Sequence, residues 1–128
     1  MRVLLDTHAV LWYVDHDHLV SATAYAAIED PANDLLISAA TIWEIAIKVG
    51  RSKLTLSLPY RQWMAKAIAD LDATILPITL DYAAAQAALP NHHRDPFDRL
   101  LVAQAQVEQI SLVSNDTVFD QYGVQRLW

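Results

Sequence analysis

The chain contains no cysteine. That excludes disulfides, thiolate metal sites and a cysteine nucleophile together. Glycine is nearly as scarce, with 2 in 128 residues, and proline contributes only 5. Neither is frequent enough for a disordered or low-complexity chain. No apolar run approaches the roughly 20 residues that cross a membrane as a helix. The opening MRVLLDTHAVLW meets Asp6 too early for the apolar core of a secretory leader. Positive charge is also short: 9 Lys and Arg against 15 Asp and Glu give a formal net charge of −6. That argues against a module that grips nucleic acid through bulk positive charge. It leaves open an enzyme that reaches a phosphodiester through metal ions. These absences set the expectation of a soluble, cytoplasmic protein.

What is present in quantity is apolar. Hydrophobic residues make up 54% of the chain, enough to bury a core without cross-links at this length. There is no internal repeat and no linker, so residues 1–128 read as a single domain.

The pattern alternates between strands and helices. Val3-Leu4-Leu5 stops at Asp6, as a buried strand does. A helix is expected from Ser21 to Glu29, then a second buried strand in DLLIS from Asp34. AATIWEIAIKVG carries Ile42, Ile45, Ala46 and Val49 at helical spacing, with Gly50 as its stop. KLTLSLP reads as a loop or extended piece, and Pro59 starts a helix through Trp63, Ala67, Ile68 and Leu71. TILPIT is a third strand whose Pro77 suggests a sheet edge. Thr79 or Asp81 caps a short helix ending before Pro90. Asp95, followed by Pro96, opens a helix reaching about Gln109. ISLVS is a fourth strand, followed by Asn115-Asp116, a short helix near Phe119 and a last strand from Val124 to Leu127. This succession predicts an α/β fold with a central, mainly parallel sheet.

Asp6 ends the first strand, Asp116 follows the fourth and Asp98 opens a helix. All three fall on the carboxyl edge of such a sheet, where open α/β folds bind ligands. Glu44 lies in the helix after the second strand and can point to the same edge. Its role depends on the cap. With Thr41 as cap, Thr41-x-x-Glu44 is a capping box and Glu44 is structural; with Ser38 as cap, Glu44 is interior and available as a ligand. Asp6-Thr7 and Ser114-Asn115-Asp116 each have a plain turn reading as well. Crowded carboxylates repel unless a cation joins them. A hard divalent ion such as Mg²⁺ or Mn²⁺ suits oxygen ligands and can activate water for phosphodiester hydrolysis.

No histidine pair has a spacing that demands zinc. His8 reads as a hydrogen-bonded strand-end residue, and His16 and His18 as solvated. His92 and His93 read as holding a loop, with contact to an RNA phosphate as the alternative. Lys48, Arg51 and Lys53 form a basic cluster, either a solvated helix end or a phosphate track.

Four stretches carry a resemblance: LLDTHAVLW, ISAATIWEIAIKVGRSKL, HHRDPFDRLLVAQA and LVSNDTVFDQYGV. Together, and nearly end to end, they resemble the PIN-domain family, specifically the VapC-like toxin ribonucleases of bacterial toxin–antitoxin pairs. The family's four acids fall on Asp6, Glu44, Asp98 and Asp116, its serine before the second acid on Ser38, and Thr7 and Ser114 become polar neighbours that orient ligands. The resemblance implies a PIN-like fold with helices on both faces of the sheet and an acidic pocket binding Mg²⁺ or Mn²⁺. It further implies endoribonuclease action on RNA by a metal-activated water, with no side-chain nucleophile. Homodimerisation and inhibition by a cognate antitoxin protein follow from it too.

A non-catalytic PIN-like binding module is the alternative, disfavoured by four intact acids. A haloacid-dehalogenase-type phosphatase would want an acid where His8 stands, and a receiver-type domain lacks a convincing phospho-acceptor strand and partner lysine.

Overall fold

In Val3-Leu4-Leu5 neighbouring side chains point to opposite faces of the sheet, and all three are fully buried. A strand covered on both faces must lie inside a sheet flanked by two helical layers. The computed structural model, which describes residues 1–128, has that architecture. Five parallel strands are β1 (Arg2–Leu5), β2 (Asp34–Ser38), β3 (Thr74–Leu76), β4 (Ser111–Val113) and β5 (Arg126–Leu127), in the spatial order β3-β2-β1-β4-β5. The α/β, mainly parallel expectation holds, and β3 is an edge strand as Pro77 suggested.

Six α-helices connect them: α1 (Thr7–Asp15), α2 (Ala22–Glu29), α3 (Ala39–Gly50), α4 (Tyr60–Leu71), α5 (Leu80–Ala87) and α6 (Pro96–Glu108). A 3-10 helix spans Thr117–Tyr122 before β5. On one face, Val3, Leu5, Ile37 and Val113 pack against Val10 of α1, Ile45 of α3 and Trp63 of α4. On the other, Leu4, Leu36 and Leu112 pack against Leu101 of α6, Tyr82 of α5 and Phe119. No helix is long and apolar enough to cross a membrane.

Three local features depart from the sequence expectation. Thr7–Asp15 is a helix, not a strand-end turn, because Asp6 caps it. Gly50 is the last residue of α3 and not its stop; the left-handed residue beyond the helix is Ser52, at φ 55°. The final strand is reduced to Arg126–Leu127.

The strand order positions the site. From β1 the chain moves to β2 and β3 on one side, then returns to place β4 on the other side of β1. The crevice at such a reversal, beyond the carboxyl ends of β1 and β4, is where this kind of sheet holds ligands. Asp6 directly follows β1, and Asp116 closely follows β4.

Candidate functional site

Strands β1, β2 and β4 run directly into helix starts on this edge, α6 starts there too, and a side chain caps each of the four. Asp6 Oδ1 accepts the Ala9 N–H of α1 at 2.8 Å. Ser38 Oγ accepts the Ala40 N–H of α3 at 3.1 Å. Asp95 Oδ1 accepts from the Phe97 and Asp98 N–H groups of α6 at 2.8 and 3.3 Å. Asp116 Oδ1 accepts the Val118 N–H at 3.0 Å. The caps satisfy backbone donors that have no partner within the helix. They also bring four N-terminal turns, electropositive through their aligned peptide dipoles, to one side of the sheet.

With Ser38 as cap, the two readings of Glu44 resolve. Glu44 is an interior residue of α3 and is 3% exposed. Oε1 accepts the Thr7 hydroxyl at 2.6 Å. Oε2 accepts the Lys48 ammonium, one turn further along α3, at 2.7 Å. The Thr41 hydroxyl lies 3.3 Å from that of Thr7. Glu44 is therefore buried and already matched by a cation, which the sequence did not foretell.

Asp6 is 4% exposed. Burial raises its pKa above the usual carboxylate range, the Ser114 hydroxyl and the Ala9 N–H pull it back, and the Asp116 charge adds to the rise. Asp98 is half-buried and pushed up to about 7, by desolvation first and by Asp95, with Glu44 and Asp6 adding and His93 opposing. A carboxyl raised by three neighbouring acids sits in a surplus of negative charge. Ser114, fully buried, accepts the Asp116 N–H through Oγ at 3.0 Å.

His93 joins this group. Its Nε2 lies 3.0 Å from Asp98 Oδ2 and 3.0 Å from Asp116 Oδ2. One atom each from His93, Asp98 and Asp116 all fall within 4.8 Å of one another. Asp6 and Glu44 lie beyond that tight cluster but near enough for their charges to act on Asp98. The loop role expected of His93 is also present, since its backbone N–H donates to the Tyr122 hydroxyl at 2.8 Å. Its place between two acids was not legible: a histidine five residues before Asp98 and 23 before Asp116 follows no local spacing rule. The remaining histidines stay out of the cluster. His8 is exposed and packs on Trp12 at 5.3 Å, and His16, His18 and His92 are exposed.

Lys48, Arg51 and Lys53 line a groove of about 460 Å³ together with Glu44, Arg94 and Phe97. The groove therefore has cations from two sides, α3 with the segment after it and the loop before α6, and it reaches Glu44. Lys48 is not free within it, because it is the counter-ion of Glu44. Carboxylate-rich donors, crowded enough that burial and neighbouring charge both raise Asp98, are chemically suited to a hard divalent cation.

A family model described as PIN domain matches residues 3–125. The chain is 33% identical over 115 residues to Ribonuclease VapC22 of Mycobacterium tuberculosis (strain ATCC 25618 / H37Rv), covering 89% of this chain and 86% of that protein. Its fold is similar to that of VapBC2 from Rickettsia felis, solved bound to a DNA fragment from their promoter. That match has a TM-score of 0.73 at 18% identity and covers 100% of both chains. It is also similar to VapBC-1 from nontypeable Haemophilus influenzae, with a TM-score of 0.71 at 15% identity over 98% of this chain and 96% of that one. FitAcB from Neisseria gonorrhoeae matches with a TM-score of 0.63 at 20% identity, over 97% and 95% of the two chains.

Proposed function

The chain belongs to the PIN-domain family, and from that premise we propose that it is the toxin of a toxin–antitoxin pair, a single-domain endoribonuclease dependent on Mg²⁺ or Mn²⁺. The observation that carries the catalytic part is Asp98, lifted to about 7 by burial and by the charges of Asp95, Glu44 and Asp6. Burial first, and then the surrounding acids, disfavour a bare carboxylate at Asp98, and a divalent cation among those acids would relieve their repulsion. Asp6, Glu44, Asp98 and Asp116 are the residues proposed to hold it. A divalent ion held by these residues would supply Lewis-acid polarisation of a phosphate and would lower the pKa of water for hydrolysis.

The chain's own groups do the rest. The caps at Asp6 and Asp116 fix where those carboxylates stand. Thr7 orients Glu44 through Oε1, and Lys48 neutralises it through Oε2. Ser38 caps the helix that carries Glu44, and Ser114 holds the turn from which Asp116 projects. Arg51, Lys53 and Arg94 line the groove leading to Glu44 and are proposed to track the RNA backbone. The named relative is a ribonuclease, which supports RNA as substrate. The similar folds are VapBC pairs, which supports an antitoxin as partner. A homodimer in the cytoplasm completes the proposal.

The test is cleavage of a defined RNA with and without Mg²⁺ or Mn²⁺. Cleavage is expected to vanish with chelator and to fall steeply in Asp6→Asn. Undiminished cleavage in excess chelator sinks the metal mechanism. Binding of RNA or antitoxin without any cleavage favours a non-catalytic binding module.

A further inference from the structure

The four acids leave out the residue that physically joins two of them. His93 Nε2 faces Asp98 Oδ2 and Asp116 Oδ2, each at 3.0 Å. Its other ring nitrogen, Nδ1, accepts the backbone N–H of Asp95 at 3.1 Å. A ring nitrogen that accepts a hydrogen bond carries no proton, so the proton of the imidazole is on the other nitrogen. The backbone at the α6 cap thus selects the Nε2–H form and aims that N–H at the two carboxylates.

The ring is fixed from behind. It packs tilted against Phe119, with centroids 5.8 Å apart. The N–H groups of His92 and His93 both donate to the Tyr122 hydroxyl, at 3.1 and 2.8 Å, and that hydroxyl donates to the Pro90 carbonyl at 3.0 Å. On the far side, Asp116 is already held by the Val118 N–H through Oδ1. His93 therefore links the cap of α6, the 3-10 helix after β4 and two acids into one rigid unit.

We propose that His93 is a positioning residue, whose Nε2–H holds the Asp98 and Asp116 carboxylates at a fixed separation for the cation and is not itself a ligand. The three side chains could pass for a metal-binding triad on proximity alone. The hydrogen bonding argues otherwise. A nitrogen that bears a proton has no lone pair to offer an ion. Moving the proton to Nδ1 would turn it toward the Asp95 N–H, setting two donors against each other. Groups that orient ligands from behind typically change metal affinity by roughly 10- to 100-fold when removed.

This inference rests on the metal-dependent nuclease reading, and two variants separate the two. Gln at position 93 can place an amide N–H near the position of Nε2, yet an amide is a very poor ligand; Ala offers neither. Mn²⁺ binding to the parent, His93→Gln and His93→Ala is measured by calorimetry, with melts of the metal-free proteins to confirm folding. His93→Ala is expected to bind roughly 10- to 100-fold more weakly, and His93→Gln to recover most of that loss in both binding and cleavage. In ¹⁵N spectra of the parent, His93 is expected to keep its Nε2 proton when Mg²⁺ saturates the site. A folded His93→Gln that binds as weakly as His93→Ala overturns the proposal, as does loss of the Nε2 proton on adding Mg²⁺ or parent-like binding by His93→Ala. A parent that binds neither ion overturns the nuclease reading itself, and the positioning role with it.

Discussion

The Lys48 ammonium lies 2.7 Å from Glu44 Oε2, one turn along the same helix, while the Thr7 hydroxyl holds Oε1. Glu44 is thus a buried carboxylate with an internal counter-ion, in a place where an external one is expected. Lys48→Met keeps much of the apolar stem but removes the charge. Lys48 is partly exposed, so the loss in the metal-free protein should fall between that of a surface pair and a buried one, on the order of 2 kcal/mol. In saturating Mn²⁺ the added cation takes over the neutralisation, and the difference from the parent should narrow. Thermal melts of both proteins with and without Mn²⁺ decide it. An equal penalty in both conditions would strike Glu44 from the proposed ligands.

Asp98 sets an unusual pH dependence for the metal-free protein. Its carboxyl is raised from 3.8 to about 7. As pH climbs above the lower value, the unfolded chain gives up this proton while the native protein keeps it. The native state then binds more protons, so stability falls with rising pH until about 7 and then levels. Asp6, also raised by burial, acts in the same direction. Asp98→Asn removes the Asp98 part. Chelator-treated parent and variant, melted across this range, should diverge steadily, the variant gaining as pH rises. Parallel curves would show that Asp98 ionises in the ordinary carboxylate range.

The sheet, its order of elements and the address of the acids could be read from the sequence because each rests on local signals. Val3-Leu4-Leu5, DLLIS and ISLVS are apolar runs bounded by polar residues, and Asp95-Pro96 is a helix start by residue chemistry alone. The helix from Thr7 is harder to read because Asp6 fits two roles equally, an acid at a strand end and an N-cap. The left-handed residue at Ser52 has no sequence mark, whereas Gly50, two residues earlier, carries the usual one. His93 between Asp98 and Asp116 depends on how two loops are packed by Tyr122 and Phe119, which no spacing encodes. The same holds for the Glu44–Thr7 contact, made across 37 residues.

Ion binding should expel a proton. Below pH about 7 Asp98 holds one, and a ligand carboxyl must release it. Calorimetry of Mn²⁺ binding near pH 6 in two buffers of different ionisation enthalpy should report close to one proton released. Apparent affinity should rise toward neutral pH and then flatten. Buffer-independent heats would mean that the site is fully ionised before the ion arrives.

The paired acids of RDPFDRLL divide the work at the start of α6. Asp95 turns Oδ1 onto the Phe97 and Asp98 N–H groups of its own helix, while Asp98 directs Oδ2 toward His93 Nε2. Asn caps nearly as well as Asp, so Asp95→Asn should melt close to the parent; Asp95→Ala should lose about 1 kcal/mol, the usual effect of removing a cap. The Nδ1 bond of His93 comes from the Asp95 backbone and survives either change. Asp95 also contributes a charge that raises Asp98, second only to desolvation. Asp95→Asn should therefore move the pH midpoint of Mn²⁺ binding downward while leaving most of the cleavage rate. Asp98→Asn should fold at least as well without metal, relieved of carboxylate repulsion, and lose cleavage by orders of magnitude. The measurement pairs metal-free melts with cleavage of one RNA in Mn²⁺ across pH. If Asp95→Asn proves as inactive as Asp98→Asn while melting like the parent, Asp95 acts in the chemistry and this division is wrong.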